Sequence, residues 1–368
     1  SGLVGSEMCI RDSFYIPEKI AVRQLKKLRK RIHARIKADG IELVSGKGKR
    51  KTPIQRLSEW IDQCLAKLKQ YTKDIHICGN RNSFSKTDHD ATFMHMKEDY
   101  MRNGQLKPGY NVNVATCSDF IIGSYISSDR NDVHTLIPFM EQLRKNYAGR
   151  NIGSVVVDSG YESEENYCWF EAHPETELYV KPSNHEVAKH RKYRTDISRR
   201  ENMAYDAQAD AYTCANGKLL QRTREKKTHT ASGLEIATSV YECNECDGCP
   251  LKEKCIRACG SKKPLEERYK VIYVSKRFAR QRQAMEAKIS SPKGCLLRVN
   301  RSIQAEGNFA YVKQDLDFRR FLLRGNMKVA AEWLLFSLAL NILHLHHKIQ
   351  NRRLGSDLKI PSSFPAGL

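Results

Sequence analysis

Hydrophobic residues recur at helical spacing in the first part of the chain. Between residues 20 and 37, apolar side chains lie three or four residues apart, and Lys and Arg fill the other faces: Ala21, Leu25, Leu28, Ile32 and Ile36. After Thr52 and Pro53, which suit a helix start, a second stripe follows: Ile54, Leu57, Ile61, Leu65 and Leu68. The pattern predicts a basic helical hairpin, either simply solvated or in contact with phosphate.

A polar stretch containing Asp88, His89 and Asp90 comes next. Two aspartates beside a histidine can bind a metal ion, but such a stretch more often caps a helix. We therefore expect a capped helix over residues 91–101.

From Pro108 the pattern changes to the alternation of β-strands. Tyr110, Val112 and Val114 alternate with polar or small residues, and a turn at residues 117–119 precedes a returning strand at 120–126. The pattern then predicts a helix (133–147), a strand (155–157), a helix through Trp169 and a strand (178–180). This order predicts an α/β fold with an antiparallel edge, and it fits a ribonuclease-H-like core that lacks its first strand.

Asp158 follows the three valines of the strand at 155–157 and precedes Ser159 and Gly160. A carboxylate at the end of a buried strand can bind the metal ions of a phosphoryl-transfer site. From this stretch alone, a helix N-cap is the commoner interpretation. The elements on either side favour the metal site.

Residues 183–275 interrupt this pattern with a polar, basic insertion that contains the run Cys243-x2-Cys246-x2-Cys249-x5-Cys255. Thiolates at two-residue separations can converge on one metal ion, so we predict zinc bound by these four cysteines. An iron–sulfur cluster is the alternative, because the spacing begins like a ferredoxin run. Cys214 or Cys259 could replace one ligand.

A later helix, predicted from about 295 to 315, contains Glu306 and Lys313 beside its apolar stripe. Seven residues are almost two α-helical turns, so both side chains are predicted to lie along one line. A carboxylate for a metal and a cation for a phosphate suit a site that cuts nucleic acid, although a surface pair has the same spacing. The apolar run Val329–Leu345 predicts a buried core helix.

Composition narrows the choice of partner. The 368 residues include 63 Lys and Arg against 42 Asp and Glu, giving a formal charge of +21. This excess favours a polyanion, and nucleic acid is preferred over a membrane because we expect no apolar stretch long enough to span one. A local cysteine cluster in a basic chain indicates metal binding in a reducing cytoplasm rather than a disulfide framework.

Four motifs, in this order, resemble the DDE-type transposases of bacterial insertion sequences, in the branch whose ribonuclease-H-like core carries a cysteine-containing insertion. The resemblance extends from Phe14 to about His347. Its motifs are Lys86-Thr87-Asp88, Leu106-Lys107-Pro108-Gly109-Tyr110-Asn111-Val112, Asp158-Ser159-Gly160-Tyr161 and Arg301-Ser302-Ile303-Gln304-Ala305-Glu306-Gly307, with the cysteine cluster opening at Tyr241-Glu242-Cys243.

The resemblance implies an enzyme that cuts and joins double-stranded DNA at terminal inverted repeats and target sites with two Mg²⁺ ions. It implies a bacterial, nucleoid-associated protein that acts as a homodimer on DNA. By motif, Asp158 is the second catalytic aspartate, Glu306 the catalytic glutamate and Lys313 its lysine. The related pattern has arginine four residues before the glutamate, where this chain has Ser302, and Arg301 is one place away.

The first catalytic aspartate of such enzymes lies on the first core strand, which would precede Phe14. Residues 8–13, Met-Cys-Ile-Arg-Asp-Ser, resemble a translated sequencing adapter, so we expect a truncated, inactive fragment. The expected organisation is an artefact (1–13), a basic helical region (14–107), a first core part (108–182), the insertion (183–290), a second core part (291–348) and a tail (349–368). The alternative function is a metal-stabilised nucleic-acid-binding protein without catalysis.

Overall fold

The computed structural model describes residues 21–46, 48–96, 103–257, 263–355 and 358. The expected artefact at residues 1–13, Cys259 and most of the expected tail lie outside the described residues. The chain forms two compact units, one ending at His89 and the other beginning at Asp90.

The first unit is the predicted helical hairpin. Helix α1 spans Val22–Ala38 and helix α2 spans Pro53–Cys78. The hydroxyl of Thr52 accepts a hydrogen bond from the backbone N–H of Gln55, which confirms the predicted cap. The two apolar stripes pack against each other around a buried set of side chains: Leu25, Leu28, Ile32, Leu57 and Ile61.

The second unit begins with two antiparallel strand pairs. Strand β1 (Thr92–His95) pairs with β2 (Leu106–Gly109), and β3 (Asn111–Cys117) pairs with β4 (Phe120–Ser127). The β3–β4 turn places Ser118 and Asp119 at φ values of 55° and 71°, as a tight two-residue hairpin requires.

The helix predicted over residues 91–101 is wrong where the structure describes it, because Thr92–His95 is a strand. Thr92 is buried and its hydroxyl donates to the carbonyl of Ser128. Threonine suits a pleated, packed surface better than a helix, and packing decides the conformation here. Asp90 instead accepts a hydrogen bond from the backbone N–H of Asn326, at the start of a later helix.

Next come β5 (Ser154–Val157) and β6 (Glu177–Val180), which are parallel neighbours. Helix α3 (Leu136–Asn146) precedes β5, and α4 (Glu164–Glu171) connects the two strands. The strands and helices enclose one apolar core, whose buried members include Phe139, Met140, Leu143, Phe170, Leu178, Val180 and Ile289. These elements confirm the order predicted from the sequence, in a mixed helix and strand fold with several small sheets.

The insertion folds around a five-stranded antiparallel meander of order β11-β10-β9-β8-β7. Its strands are β7 (Ala204–Asp206), β8 (Ala211–Thr213), β9 (Leu219–His229), β10 (Glu235–Cys243) and β11 (Lys270–Val274). Two short helices lie around it, α5 (Arg191–Arg194) and α6 (Lys252–Cys255). The buried Leu220, Tyr241, Ile272 and Val274 pack with Cys243 and Cys246, so the cysteines form part of the meander's core.

Helix α7 (Lys276–Ser290) leads back to the core, and Ser291 caps α8 (Pro292–Arg301). Beyond α8 the helical path continues through a π turn at Ser302–Glu306, α9 (Gly307–Ala310) and a second π turn at Tyr311–Asp315. In a π turn the backbone hydrogen bond joins residues five apart, and such turns are frequent at functional sites.

Helix α10 spans Asn326–Gln350. Trp333 and Leu340 pack with the β4 residue Ile121, but leucines on another face are exposed, Leu335 at 69%. The prediction of a fully buried helix is therefore wrong, since only one face packs on the core. By length and composition alone, α10 could cross a bilayer, so the expectation that no stretch meets those criteria is also wrong.

Gly294 and Gly307 are two helical glycines at which the effect of adding a side chain can be compared. A Cβ on Gly294 would lie 2.3 Å from the Lys288 carbonyl oxygen, whereas nothing lies within 4 Å of one on Gly307. We expect Gly294→Ala to lower the free energy of unfolding by about 1–3 kcal/mol through overpacking. Gly307→Ala should raise it by about 0.4–1 kcal/mol through the entropy of the unfolded chain.

Chemical denaturation of both variants measures the difference. Equal effects of the two substitutions would contradict the close approach of α8 to the end of α7.

Candidate functional site

Asp158 lies where strand β5 ends and the chain turns away from the core. Its carboxylate is exposed and accepts a hydrogen bond from the backbone N–H of Ser159 at 2.8 Å. A short 3-10 turn over Ser159–Tyr161 follows. Asp158 caps this turn and its carboxylate is also accessible to a ligand, so the structure is compatible with both interpretations from the sequence, the cap and the metal ligand.

Tyr161, at the end of that turn, connects Asp158 to the rest of the site. Its hydroxyl donates to the side-chain oxygen of Asn113 on β3. Burial raises the pKa of Tyr161, the nearby carboxylates of Asp132 and Asp158 raise it further, and the positive charge of Arg301 opposes them. Two acidic residues and an arginine therefore act on the Tyr161 phenol, and the four residues come from three separate segments.

Asp132 is the acidic neighbour that the sequence did not single out. The side-chain amide of Asn111 donates to one of its oxygens at 2.7 Å, and its other oxygen approaches Gly160. A Cβ at Gly160 would lie only 2.9 Å from that oxygen, so the absence of a side chain there allows the turn to pass close to Asp132.

Arg301 forms an ion pair with Glu306, with 2.9 Å between Nη2 and Oε1. The two residues are five apart, and the intervening chain is the first π turn. In a regular α-helix residue i faces i+4, but the wider π turn brings residue i+5 to that place. In the related sequence pattern the arginine is four residues before the glutamate, whereas Arg301 is five residues before Glu306. The extra residue of the π turn therefore allows Arg301 to contact Glu306.

Glu306 is exposed, with 64% of its side chain accessible, and Lys313 is partly buried in the second π turn. The prediction that Glu306 and Lys313 lie along one line assumed two regular α-helical turns between them. Part of the backbone between them is π-helical, so this assumption does not apply strictly. In the part of the chain that the structure describes, no three His, Cys, Asp or Glu side chains are grouped closely enough to bind a metal ion. Asp158 and Arg301 both act electrostatically on Tyr161, and Arg301 pairs with Glu306, but among the described residues Asp158 and Glu306 do not belong to a formed metal site.

The turn after Asp158 is fixed by a buried ion pair. The Glu162 side chain is 2% exposed and accepts two hydrogen bonds from Arg282 on α7, at 2.6 and 2.7 Å, and one from the Ser183 N–H at 2.8 Å. Burial alone would raise the pKa of Glu162, but the hydrogen bonds from Arg282 and Ser183 outweigh it and lower the pKa.

The four predicted cysteine ligands lie together. Cys243, Cys246, Cys249 and Cys255 line one small cavity in the insertion, and Cys214 from the β8–β9 turn joins them. As placed, their thiols do not form a metal-binding group.

In the first unit, α1 and α2 form an open groove lined by basic side chains. Its lining includes Lys26, Arg29, Lys30, His33, Lys69, Lys73 and His76. One acidic residue, Asp62, lies in the groove and pairs with Arg29 at 2.6 Å. The groove is thus predominantly positive, as a phosphate-contacting surface would be.

Replacing Arg282 should test the buried ion pair. In Arg282→Met, the Glu162 carboxylate is buried without its cation, and we expect about 3–5 kcal/mol less unfolding free energy at pH 7. In the wild type the pair stabilises the fold above the ordinary glutamate pKa of about 4.3 and loses this effect as pH falls through the lower folded value. In the variant the carboxyl can take up a proton, so the difference should shrink towards pH 4.

Denaturation curves at pH 7 and pH 4 measure this. Lys293→Met is the control, because Lys293 pairs with Glu177 on the surface and its loss should cost only about 0–1 kcal/mol. A pH-independent loss in Arg282→Met would contradict a buried, charged Glu162.

Comparison with known proteins identifies part of the chain. Residues 213–346 match the family model described as the transposase DDE domain. The match is less than half of the chain, and it contains Glu306, Lys313 and the cysteine run but not Asp158. No curated protein and no solved structure matches the chain significantly. The resemblance to DDE-type transposases predicted from the sequence motifs is confirmed by this match.

Proposed function

We propose that the chain is part of a transposase that cuts and joins DNA at the ends of an insertion sequence by metal-dependent phosphoryl transfer. The family implies an enzyme that acts on DNA, and the basic charge agrees with such a substrate. The observations that support the proposal are that Asp158 and Arg301 both act electrostatically on Tyr161, and that Arg301 pairs with Glu306.

The exposed carboxylates of Asp158 and Glu306 have the ligand type that Mg²⁺ prefers. Two bound Mg²⁺ ions would activate the attacking oxygen and stabilise the leaving oxygen at phosphorus. The chain's own residues supply orientation: Arg301 fixes Glu306, and the Ser159 N–H fixes the Asp158 carboxylate. Lys313 is proposed to contact a DNA phosphate near this site.

The strand arrangement supports an incomplete ribonuclease-H-like sheet. Among the described strands, β3 pairs only with β4, and β5 pairs only with β6. Both pairs contribute to one apolar core, since Ala115 on β3 and Val155 and Val157 on β5 pack against the same cluster. One additional strand, antiparallel to β3 and parallel to β5, would join the pairs into a single mixed sheet.

We propose that this joining strand carries the first catalytic aspartate. At the corresponding end of the sheet it would place a third carboxylate near Asp158, and without it two carboxylates cannot complete a two-metal site. A chain without this strand is therefore expected to be inactive, and a chain that contains it active.

The carboxylates are tested in the longer protein, whose upstream sequence is obtained by sequencing the source DNA across the Ser13/Phe14 junction. We expect Asp158→Asn and Glu306→Gln each to abolish Mg²⁺-dependent cleavage of inverted-repeat DNA, because a neutral amide is a poor ligand for the metal. DNA binding, measured by mobility shift, should remain within about threefold, because these carboxylates add no favourable charge towards phosphate.

Asp315→Asn is the control, since it removes an exposed carboxylate from the same helical path as Glu306. Cleavage that persists in either test variant contradicts the assignment. Binding without Mg²⁺-dependent cleavage, even in the unsubstituted longer protein, favours the alternative of a nucleic-acid-binding protein without catalysis.

We further propose that the α1–α2 groove contacts the DNA backbone. The four lysines Lys26, Lys30, Lys69 and Lys73 line it from both helices. Lysine ammonium groups that neutralise phosphates release counterions, so the binding constant falls steeply with salt.

Replacing these four lysines by alanine should weaken binding to all DNA sequences. We expect the slope of log affinity against log salt to become shallower by about 0.9 for each lysine that contacts phosphate. The control is Lys37→Ala with Lys67→Ala, exposed lysines of the same two helices that do not line the groove. An equal change of slope for each lysine removed in the control would assign the effect to overall charge.

A further inference from the structure

Five cysteine thiols converge in the insertion from three segments of the chain. Cys214 lies in the turn after β8, Cys243 ends β10, and Cys246, Cys249 and Cys255 follow it towards α6. All five line the same cavity, which has a volume of about 20 Å³. Five thiols from segments up to 41 residues apart do not share one cavity through chain proximity alone.

Backbone N–H groups point at two of these sulfurs. The N–H of Glu245 hydrogen-bonds to the Cys243 sulfur, and the N–H of Lys270 on β11 donates to the Cys246 sulfur at 3.4 Å. A thiolate is a better acceptor than a thiol, so these donors would stabilise a metal-bound thiolate.

The charge around the cavity also suits bound thiolates. Lys218, Lys252 and Lys270 line it, with Glu245 as the acidic member. Four thiolates and one divalent cation carry a charge of −2, which nearby ammonium groups stabilise. Two of the lysines also have carboxylate partners, Lys218 with Glu245 and Lys252 with Asp247, and Lys270 donates to the carbonyl of Cys255.

Four thiolates are the usual ligand set of a structural zinc site, so we prefer zinc, and an iron–sulfur cluster is the alternative that metal analysis distinguishes.

Cys214 lines the same cavity as Cys243 and Cys255, the first and last cysteines of the predicted run.

We propose that the insertion binds one Zn²⁺ through four thiolates, and that Cys214 is one of them. The sequence prediction used the four cysteines from Cys243 to Cys255 and offered Cys214 or Cys259 as a substitute. Each thiol moves about a single side-chain torsion, and the proposal requires rotamer changes that bring four sulfurs onto the ion. Zinc would then join the β8–β9 turn to the end of β10, and would stabilise the insertion whether or not the protein is a nuclease.

Metal analysis of the full chain and of Cys214→Ser tests the proposal. The wild type and the control Cys168→Ser, which changes a cysteine outside the cavity, should each contain about one zinc per chain. In Cys214→Ser, zinc should be released to a chelator at a concentration at least about tenfold lower, since even an outer-sphere partner is worth that much. Unchanged chelator competition, or iron with visible absorbance, would overturn the proposal.

If Cys214→Ser does not fold, the rate of cysteine alkylation in the unsubstituted protein tests the same proposal. With zinc bound, Cys214 should resist alkylation by N-ethylmaleimide and become reactive when a chelator is added. The exposed Cys117 is the internal control and should react under both conditions. Alkylation of Cys214 at the same rate with and without chelator would exclude it as a ligand.

Discussion

The buried ion pair between Glu162 and Arg282 is the contact on which the geometry of the candidate active site depends. Glu162 lies in the turn that follows Asp158, and Arg282 lies on α7, the helix by which the chain returns from the insertion. Helix α7 leads directly into α8 and so to Glu306. A charge buried this deeply is tolerated only with its partner, so α7 has little freedom to shift relative to the Asp158 turn. The insertion can therefore be large without loosening the two halves of the site.

Much of the local structure could be predicted from the sequence, because it follows from periodicity and turn chemistry. Apolar spacing predicted α1 and α2, and alternation with a Ser-Asp turn predicted the β3–β4 hairpin. The failures occur where long-range packing decides. Thr92 becomes part of a strand through contacts with the segment after β4, and α10 leaves one apolar face exposed although its sequence is apolar on nearly every side.

The candidate site was only partly predictable for the same reason. Asp158 and Glu306 could be predicted because each lies in a recognisable stretch of sequence, and the residues that match the family model include Glu306. Asp132 carries no local pattern of its own, and although the sequence offered Tyr161 within a motif and Cys214 as a substitute ligand, only the fold shows which residues surround them. Arg301 lacked a role on the sequence because counting residues presumes a uniform helix.

The two π turns between α8 and the end of the helical path have a consequence for how this segment can change. Each adds about one residue beyond the α-helical count and so rotates everything after it by about 100° around the axis. Along this helical path, the direction in which a side chain points therefore depends on the number of residues between it and the start of α8. A substitution here alters one side chain, whereas loss of a single residue would change the direction of every side chain after it in the helical path.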